Sequence, residues 1–404
     1  MAKHQQTLYV SRALGGFSEV SEPGMDCCDY PVDAVPKVLD EIFKSQMWHS
    51  QRQNHYRMLQ PNEPRGELLI VAVGDMGFGG LTSTIKMTKL FVEAGVAMFH
   101  LDDLAIGKKK LTVGQGRTVV PTSEYLDRLT AARMQIDIMG AGTMLLCHCD
   151  VDHSEFITDV IDIRDHKYVR GATIKVTSLQ ETLKEAAEAG SPNLLAVRAE
   201  WIKNTKLLAF DEAVKEIATE DEYTAYTSKI GNGIKSLKYR RAAAKGAVSK
   251  DIFFYWDLPR SREGQFFCRS CVEGIVEHAI LAAPLGDVVW ARVDMPNWND
   301  LVSFHTEVRK VFPKRLFAFG YTGDYDYSLN YQTEKFAKLW KERGGIEGYV
   351  EEIQTPALAT KSMTNGFEKP SYSGSYLCDA FWDTVAVRDT GEGTGGKISE
   401  KRIR

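Results

Sequence analysis

From about residue 66 to residue 328, short β-branched runs alternate with longer stretches whose apolar residues recur every three or four positions. That alternation predicts parallel strands joined by crossover helices. The strand candidates are LLIVAV, VAMFHL, TMLLCHC, DIFFYW, DVVWARV and RLFAFGY, and the early LYVS supplies a seventh. Between them lie LTSTIKMTKLFVEAG, PTSEYLDRLTAARMQIDIMG, REGQFFCRSCVEGIVEHAILAA and LVSFHTEVRKVF, each patterned as an amphipathic helix. A doubly wound sheet would place a GxGxxG loop after its first strand, but the GDMGFGG that follows LLIVAV has different spacing.

Two regions interrupt the pattern. Residues 155–250 are charged and helical, with TLKEAAEAG, LLAFDEAVKEIATEDEYTAYTSKI and SLKYRRAAAKGAVS, and exceed the length of one crossover. They predict a helical insertion between a first part of a β/α barrel (1–154) and a second part with C-terminal helices (251–387). The remaining 388–404 is polar and glycine-rich and is expected to be disordered.

Nearly every strand candidate ends in a carboxylate: Asp75, Asp102 and Asp103, Asp150 and Asp152, Asp257, Asp294, Asp324. In a TIM-type (β/α) barrel those ends converge on one rim, where active sites are built. An acidic rim suits a hard cation such as Mg²⁺, or Mn²⁺, which takes oxygen ligands. The competing reading of each aspartate is a cap for the helix that follows it. For one residue the cap is favoured; for the whole set, the site.

Composition narrows the partners. With 50 basic and 54 acidic side chains the net charge is −4, too weak a field to point to nucleic acid or an anionic membrane. No apolar run reaches the roughly 20 residues of a membrane span, and MAKHQQTLYV lacks a secretory h-region, so a cytoplasmic location is expected. The 7 cysteines are scattered, as reduced thiols would be. Cys268 and Cys271 have the spacing of half a zinc site without a second pair, so structural thiols are the better reading. In Cys147-His148-Cys149-Asp150 strand alternation sends the cysteines to one face and His148 to the other, which argues against one shared ion.

The segments LYVS, EPGMDCCDYP, VGDMGFGGLTSTIKMTKLFVEAG, FHLDD, KKK, VVPTSEYLDRLTAARMQIDIMG, ITDVIDIRDH and WDLPRSREG resemble the eukaryotic, glyoxysomal-type isocitrate lyases over most of the chain. The resemblance implies a β/α barrel, a homotetramer with helix exchange, and Mg²⁺-assisted cleavage of a hydroxy-tricarboxylate. It implies metal roles for Asp75, Asp102 and Asp150, and keeps His100 beside them as a catalytic candidate with Lys109 and Lys110. Lys108–Lys110 could also supply a Schiff-base amine, although a solvated loop is the simpler reading. Arg262, in SREG, matches an arginine that grips a substrate carboxylate; Asp103 and Thr322 complete the substrate candidates.

The departures are as informative. The family's KKCGH aligns with Lys109-Lys110-Leu111-Thr112-Val113, so its cysteine and histidine become apolar. A direct metal-ligand aspartate aligns with Val73 and a supporting glutamate with Arg292, while the carboxylate-binding runs become Ser11-Arg12-Ala13 and Thr322-Gly323-Asp324-Tyr325-Asp326-Tyr327. After Ser328 the family's next helix and last barrel strand have no counterpart, so either a neighbouring segment or subunit fills the gap or the barrel is incomplete. Two functions fit. One is a carbon–carbon lyase acting on a carboxylate or carbonyl substrate other than isocitrate, as in a specialised biosynthetic pathway. The other is an inactive homologue that binds a metabolite or a partner subunit.

Overall fold

A computed structural model of the protein describes residues 7–11, 14–15, 30–59, 68–107, 117–151, 154–291 and 298–318. Eleven strands occur among them: β1 (Thr7–Val10), β2 (Leu69–Val73), β3 (Met98–Asp102), β4 (Arg117–Val119), β5 (Met144–Cys149), β6 (Ser154–Ile157), β7 (Arg170–Ala172), β8 (Leu207–Ala209), β9 (Phe266–Phe267), β10 (Val288–Ala291) and β11 (Leu316–Ala318). Six of these form one parallel sheet in the order β1-β2-β3-β5-β10-β11. Each new strand joins the same edge, so the order never reverses. A doubly wound sheet needs that reversal; a β/α barrel forbids it. The sheet is the curled parallel half of such a barrel.

The strands read as they do because both faces are covered. The last four residues of β2 and of β3 are buried, and so are the last five of β5, where inner residues meet the barrel interior and outer ones meet helices. Helices Leu81–Glu93, Thr122–Ile138, Val272–Ala282 and Trp298–Val311 supply the outer layer, and the core holds Phe91, Phe99, Leu129, Leu145, Val289 and Phe304. The 26-residue helix Ala34–Leu59, which the strand–helix pattern did not predict, packs Val35 and Leu39 into the same core.

One expected strand does not form. DIFFYW makes only an isolated bridge from Tyr255 to Ala172, because its partner β7 pairs along its length with β8 instead. Asp257 therefore does not end a barrel strand, and it meets Arg260 at 3.4 Å. The segment REGQFFCRSCVEGIVEHAILAA is helical only from Val272, its first half forming β9 against β6 in a small sheet with β4.

Between β7 and β9 lie helices Leu179–Glu188, Leu194–Thr205, Phe210–Ile217, Glu220–Ile230 and Leu237–Lys245. They pack around apolar groups of their own, one with Phe210, Val214, Tyr226 and Phe254, another with Leu179, Trp201 and Leu207. Among the described residues no helix is long and apolar enough to cross a membrane.

Candidate active site and metal centre

Register places the first group of side chains. His100 and Asp102 are two apart on β3 and so share a face. Asp102 pairs across the ladder with His148 of β5, and His148 pairs in turn with Trp290 of β10. The ligating atoms of His100, Asp102 and His148 lie within 4.8 Å of one another, and all three residues are buried. Two aromatic residues border the imidazoles. Trp290 stacks on His148 at 4.1 Å between ring centroids, and the Tyr9 hydroxyl is 2.8 Å from His100 Nε2.

The end of β2 is held close to the end of β3. Gly74 donates its N–H to the His100 carbonyl at 2.8 Å, and a Cβ on Gly74 would stand 2.6 Å from that same oxygen, so only glycine permits this approach. Asp75 then turns into the left-handed region with φ 47°, a strained conformation for a residue with a side chain. Its carbonyl accepts the N–H of Asp102 at 2.8 Å, and its carboxylate accepts a hydrogen bond from the buried Tyr30 hydroxyl.

Asp103 follows Asp102 and belongs to a second buried network. Its Oδ1 accepts the backbone N–H of Asp150 at 2.9 Å, and its Oδ2 faces His278 Nδ1 at 3.2 Å. On the other side of the ring, His278 Nε2 lies 2.9 Å from the Thr122 hydroxyl and 3.6 Å from Asp165. Burial alone would depress the His278 pKa, but its bonds to Asp103 and Asp165 outweigh burial and raise it to about 9. Burial pushes the Asp103 carboxyl up from the ordinary carboxylate range, against the lowering effect of His278. Asp165 and Asp162 also accept the N–H groups of Thr122 and Ser123, both at 2.9 Å, capping the helix Thr122–Ile138 from about forty residues away.

Of the residues expected from sequence, His100, Asp75, Asp102, Asp103 and Asp150 converge on three adjacent strand ends. Asp150 sits with its Oδ2 3.7 Å from His148 Nδ1. Asp103, expected among the substrate-binding residues, is buried and engaged by the Asp150 N–H and by His278. Arg262 is exposed in the turn closed by the Gly264 N–H bond to Ser261, outside the buried group. Lys109, Lys110 and Thr322 lie outside the described residues. The expectation that Cys147 and Cys149 face away from His148 agrees with the structure, where Cys147 Sγ donates to the Ala282 carbonyl in the outer layer. The four described cysteines are free thiols, with burial pushing Cys147 up to about 12 and Cys271 to about 11. Cys268 and Cys271 belong to no cluster of potential ligands among the described residues.

Sequence reasoning missed His148 as a neighbour of Asp102. Ladder register was the signal needed, and it is not visible in one strand at a time. It also missed Tyr9, Tyr30, Trp290 and His278, whose roles depend on contacts from distant parts of the chain.

The donor set fits a divalent cation. Three buried strand-end carboxylates, Asp75, Asp102 and Asp150, sit near two imidazoles, and burying that much negative charge is unfavourable without a compensating cation. Asp102 is common to the oxygen-rich set and to the His/Asp/His group.

Parallel strands added in chain order, with buried acids and histidines at their carboxyl ends, define a β/α-barrel enzyme. The chain belongs to the isocitrate lyase family, whose model matches residues 1–393, and its class is that of the carbon–carbon lyases. It is 48% identical over 425 residues to the mitochondrial 2-methylisocitrate lyase of Schizosaccharomyces pombe, covering 95% of this chain and 81% of that protein. It is 34% identical to the isocitrate lyase of Oryza sativa subsp. japonica, covering 91% of this chain and 70% of that one. To the mitochondrial 2-methylisocitrate lyase of Hypocrea atroviridis it is 31% identical, with 91% and 69% covered. Family members typically use a divalent metal and act on small carboxylates.

Proposed function

We propose that the protein is a divalent-cation-assisted lyase that cleaves a 2-methylisocitrate-type hydroxy-tricarboxylate in preference to isocitrate. The observation that carries this reading is the convergence of buried Asp75, Asp102 and Asp150 at three neighbouring strand ends. Asp102, supported by Asp75 and Asp150, holds the cation, for which Mg²⁺ and Mn²⁺ are the first candidates. When bound, such a cation stabilises negative charge on the substrate oxygens beside the breaking bond. Asp103 fixes the Asp150 backbone, and Tyr30 orients the Asp75 carboxylate. Arg262 is the candidate clamp for a distal carboxylate, with Thr322 a second polar contact; Lys109 and Lys110 are the candidates for reactive amines near the breaking bond.

The preference for a methylated substrate is supported by the relative at 48% identity and by Leu111 and Val113, which are apolar where the family has cysteine and histidine. An added methyl in an apolar pocket contributes about 1–3 kcal/mol, a discrimination of roughly 10–200-fold. Retro-aldol cleavage of 2-methylisocitrate gives pyruvate and succinate; cleavage of isocitrate gives glyoxylate and succinate. In coupled assays with Mg²⁺ or Mn²⁺, pyruvate release should be at least tenfold faster than glyoxylate release. Faster glyoxylate release would reject the substrate preference, and release of neither product would favour the non-catalytic homologue. By the family resemblance the protein also assembles as a homo-oligomer, a tetramer, which light scattering on the purified chain would test.

A further inference from the structure

We propose that His100 and His148 complete the coordination shell around Asp102, so that the rim selects a borderline first-row cation such as Mn²⁺, Co²⁺ or Zn²⁺ over Mg²⁺. This rests on the reading above that the rim binds a divalent cation, and it gives His100, a catalytic candidate from the sequence, the role of a ligand.

Distance is the first argument. Donor atoms around an ion with bonds of about 2.1 Å sit roughly 3–4 Å apart. The three donors already lie within 4.8 Å, so small side-chain rotations close the shell. All three sit on paired strands, β3 and β5, with Asp102 opposite His148.

The outer contacts give the second argument. A ligating histidine is generally oriented by a group on its other nitrogen. The Tyr9 hydroxyl engages His100 Nε2 at 2.8 Å, which assigns Nδ1 to the ion. Asp150 Oδ2 faces His148 Nδ1 at 3.7 Å, beyond hydrogen-bond distance but close enough for its charge to favour a proton on Nδ1, which leaves Nε2 for the ion and places Asp150 as an outer carboxylate. Trp290, stacked on the His148 ring, fixes its plane and keeps water from that face.

The third argument is chemical. Mg²⁺ prefers an octahedron of oxygens and keeps several waters, whereas imidazole favours the later first-row metals. Two imidazoles and one carboxylate therefore turn the preference away from Mg²⁺.

The test uses the full chain with Co²⁺ as a spectroscopic probe and calorimetric titration of Co²⁺ and Mg²⁺. Visible d–d bands should appear on Co²⁺ addition, with binding at least tenfold tighter than that of Mg²⁺. His148→Gln should weaken Co²⁺ binding by about 10–100-fold or more, while Mg²⁺ affinity changes less than threefold. Tyr9→Phe, a gentler change that keeps the ring, should weaken Co²⁺ selectively and alter the band pattern. Equal affinities for the two ions, or Co²⁺ bands untouched by both variants, would overturn the inference and leave Mg²⁺ on the aspartates. If neither ion binds the wild-type chain, the cation reading itself falls along with this one.

Discussion

The helices between residues 179 and 245 and the strand ends of the barrel obey different rules. In the helical region local chemistry is satisfied almost everywhere. Ser178, Asn193, Thr219 and Ser236 each accept a hydrogen bond from a backbone N–H of the turn they start. Glu222 returns the bond to Thr219, and that contact draws its pKa down to about 2. Asp211, half-buried, is answered by Arg240 and by the Tyr226 hydroxyl at 2.6 Å. At the strand ends the reverse holds. Helices Leu81–Glu93, Thr122–Ile138 and Val272–Ala282 begin at Gly80, Pro121 and Cys271, none of which caps with its side chain, while the nearby aspartates are buried elsewhere. Asp75, Asp102 and Asp150 therefore do not stand at the cap positions of these helices, one of which is capped instead from a distance by Asp162 and Asp165. A region that breaks local rules beside one that mostly keeps them is where function is to be expected.

The sharpest way to break this comparison is Asp102→Asn. If the rim is functional, cleavage should fall by roughly 10²–10⁴-fold, a loss of about 3–5 kcal/mol of charge stabilisation. Thermal stability without added cation should hold or rise, because one buried negative charge is gone. A stability loss with cleavage intact would make Asp102 structural.

His278→Gln should affect both properties. Removing one partner of a buried charge network costs about 3–5 kcal/mol. The folded pKa of about 9 lies above the unfolded value near 6.5, so this contribution is fully present below about pH 6.5 and is lost as pH rises through about 9. Urea midpoints of the wild type should thus fall across that window and those of the variant should be flatter. Parallel curves would remove His278⁺ from the account.

Arg262→Lys should weaken substrate binding about tenfold, or ~1.4 kcal/mol, with no change in melting temperature. That figure is modest because Arg262 is exposed and water competes for its guanidinium. A KM unchanged in this variant would remove the clamp. Smallest of all, Thr219→Ala should lower stability by about 1 kcal/mol through the lost cap and leave kinetics untouched. Altered kinetics there would couple the helical region to the rim.

The sequence made the strand order legible because the parallel core writes itself as continuous apolar runs, and LYVS, LLIVAV, VAMFHL, TMLLCHC, DVVWARV and RLFAFGY all contain barrel strands. DIFFYW misled because the same composition also suits a segment buried against the insertion, where Phe254 packs on Phe210. Asp75, Asp102 and Asp150 could be found because strand ends are a position in the sequence as well as in space. His148 could not, since parity excluded it from the cysteines without revealing that register set it opposite Asp102. The contacts of Asp103 were likewise hidden: adjacency to Asp102 does not reveal that its side chain meets the Asp150 N–H and His278.

The remote capping of helix Thr122–Ile138 also bears on how the chain folds. Its first turn gains its carboxylate partners only after Asp162 and Asp165 have arrived, so a segment with good helical pattern begins on a contact of long sequence separation. Closing such a loop is an entropic step that precedes its reward, and contacts of this kind slow folding. The strand β5 lies within that loop and feeds Asp150 to the rim. Ordering of this helix start, arrival of the turn at Asp162–Asp165 and placement of Asp150 on the rim are thus coupled through one set of long-range contacts, so Asp165→Ala is expected to slow refolding measured by stopped-flow fluorescence.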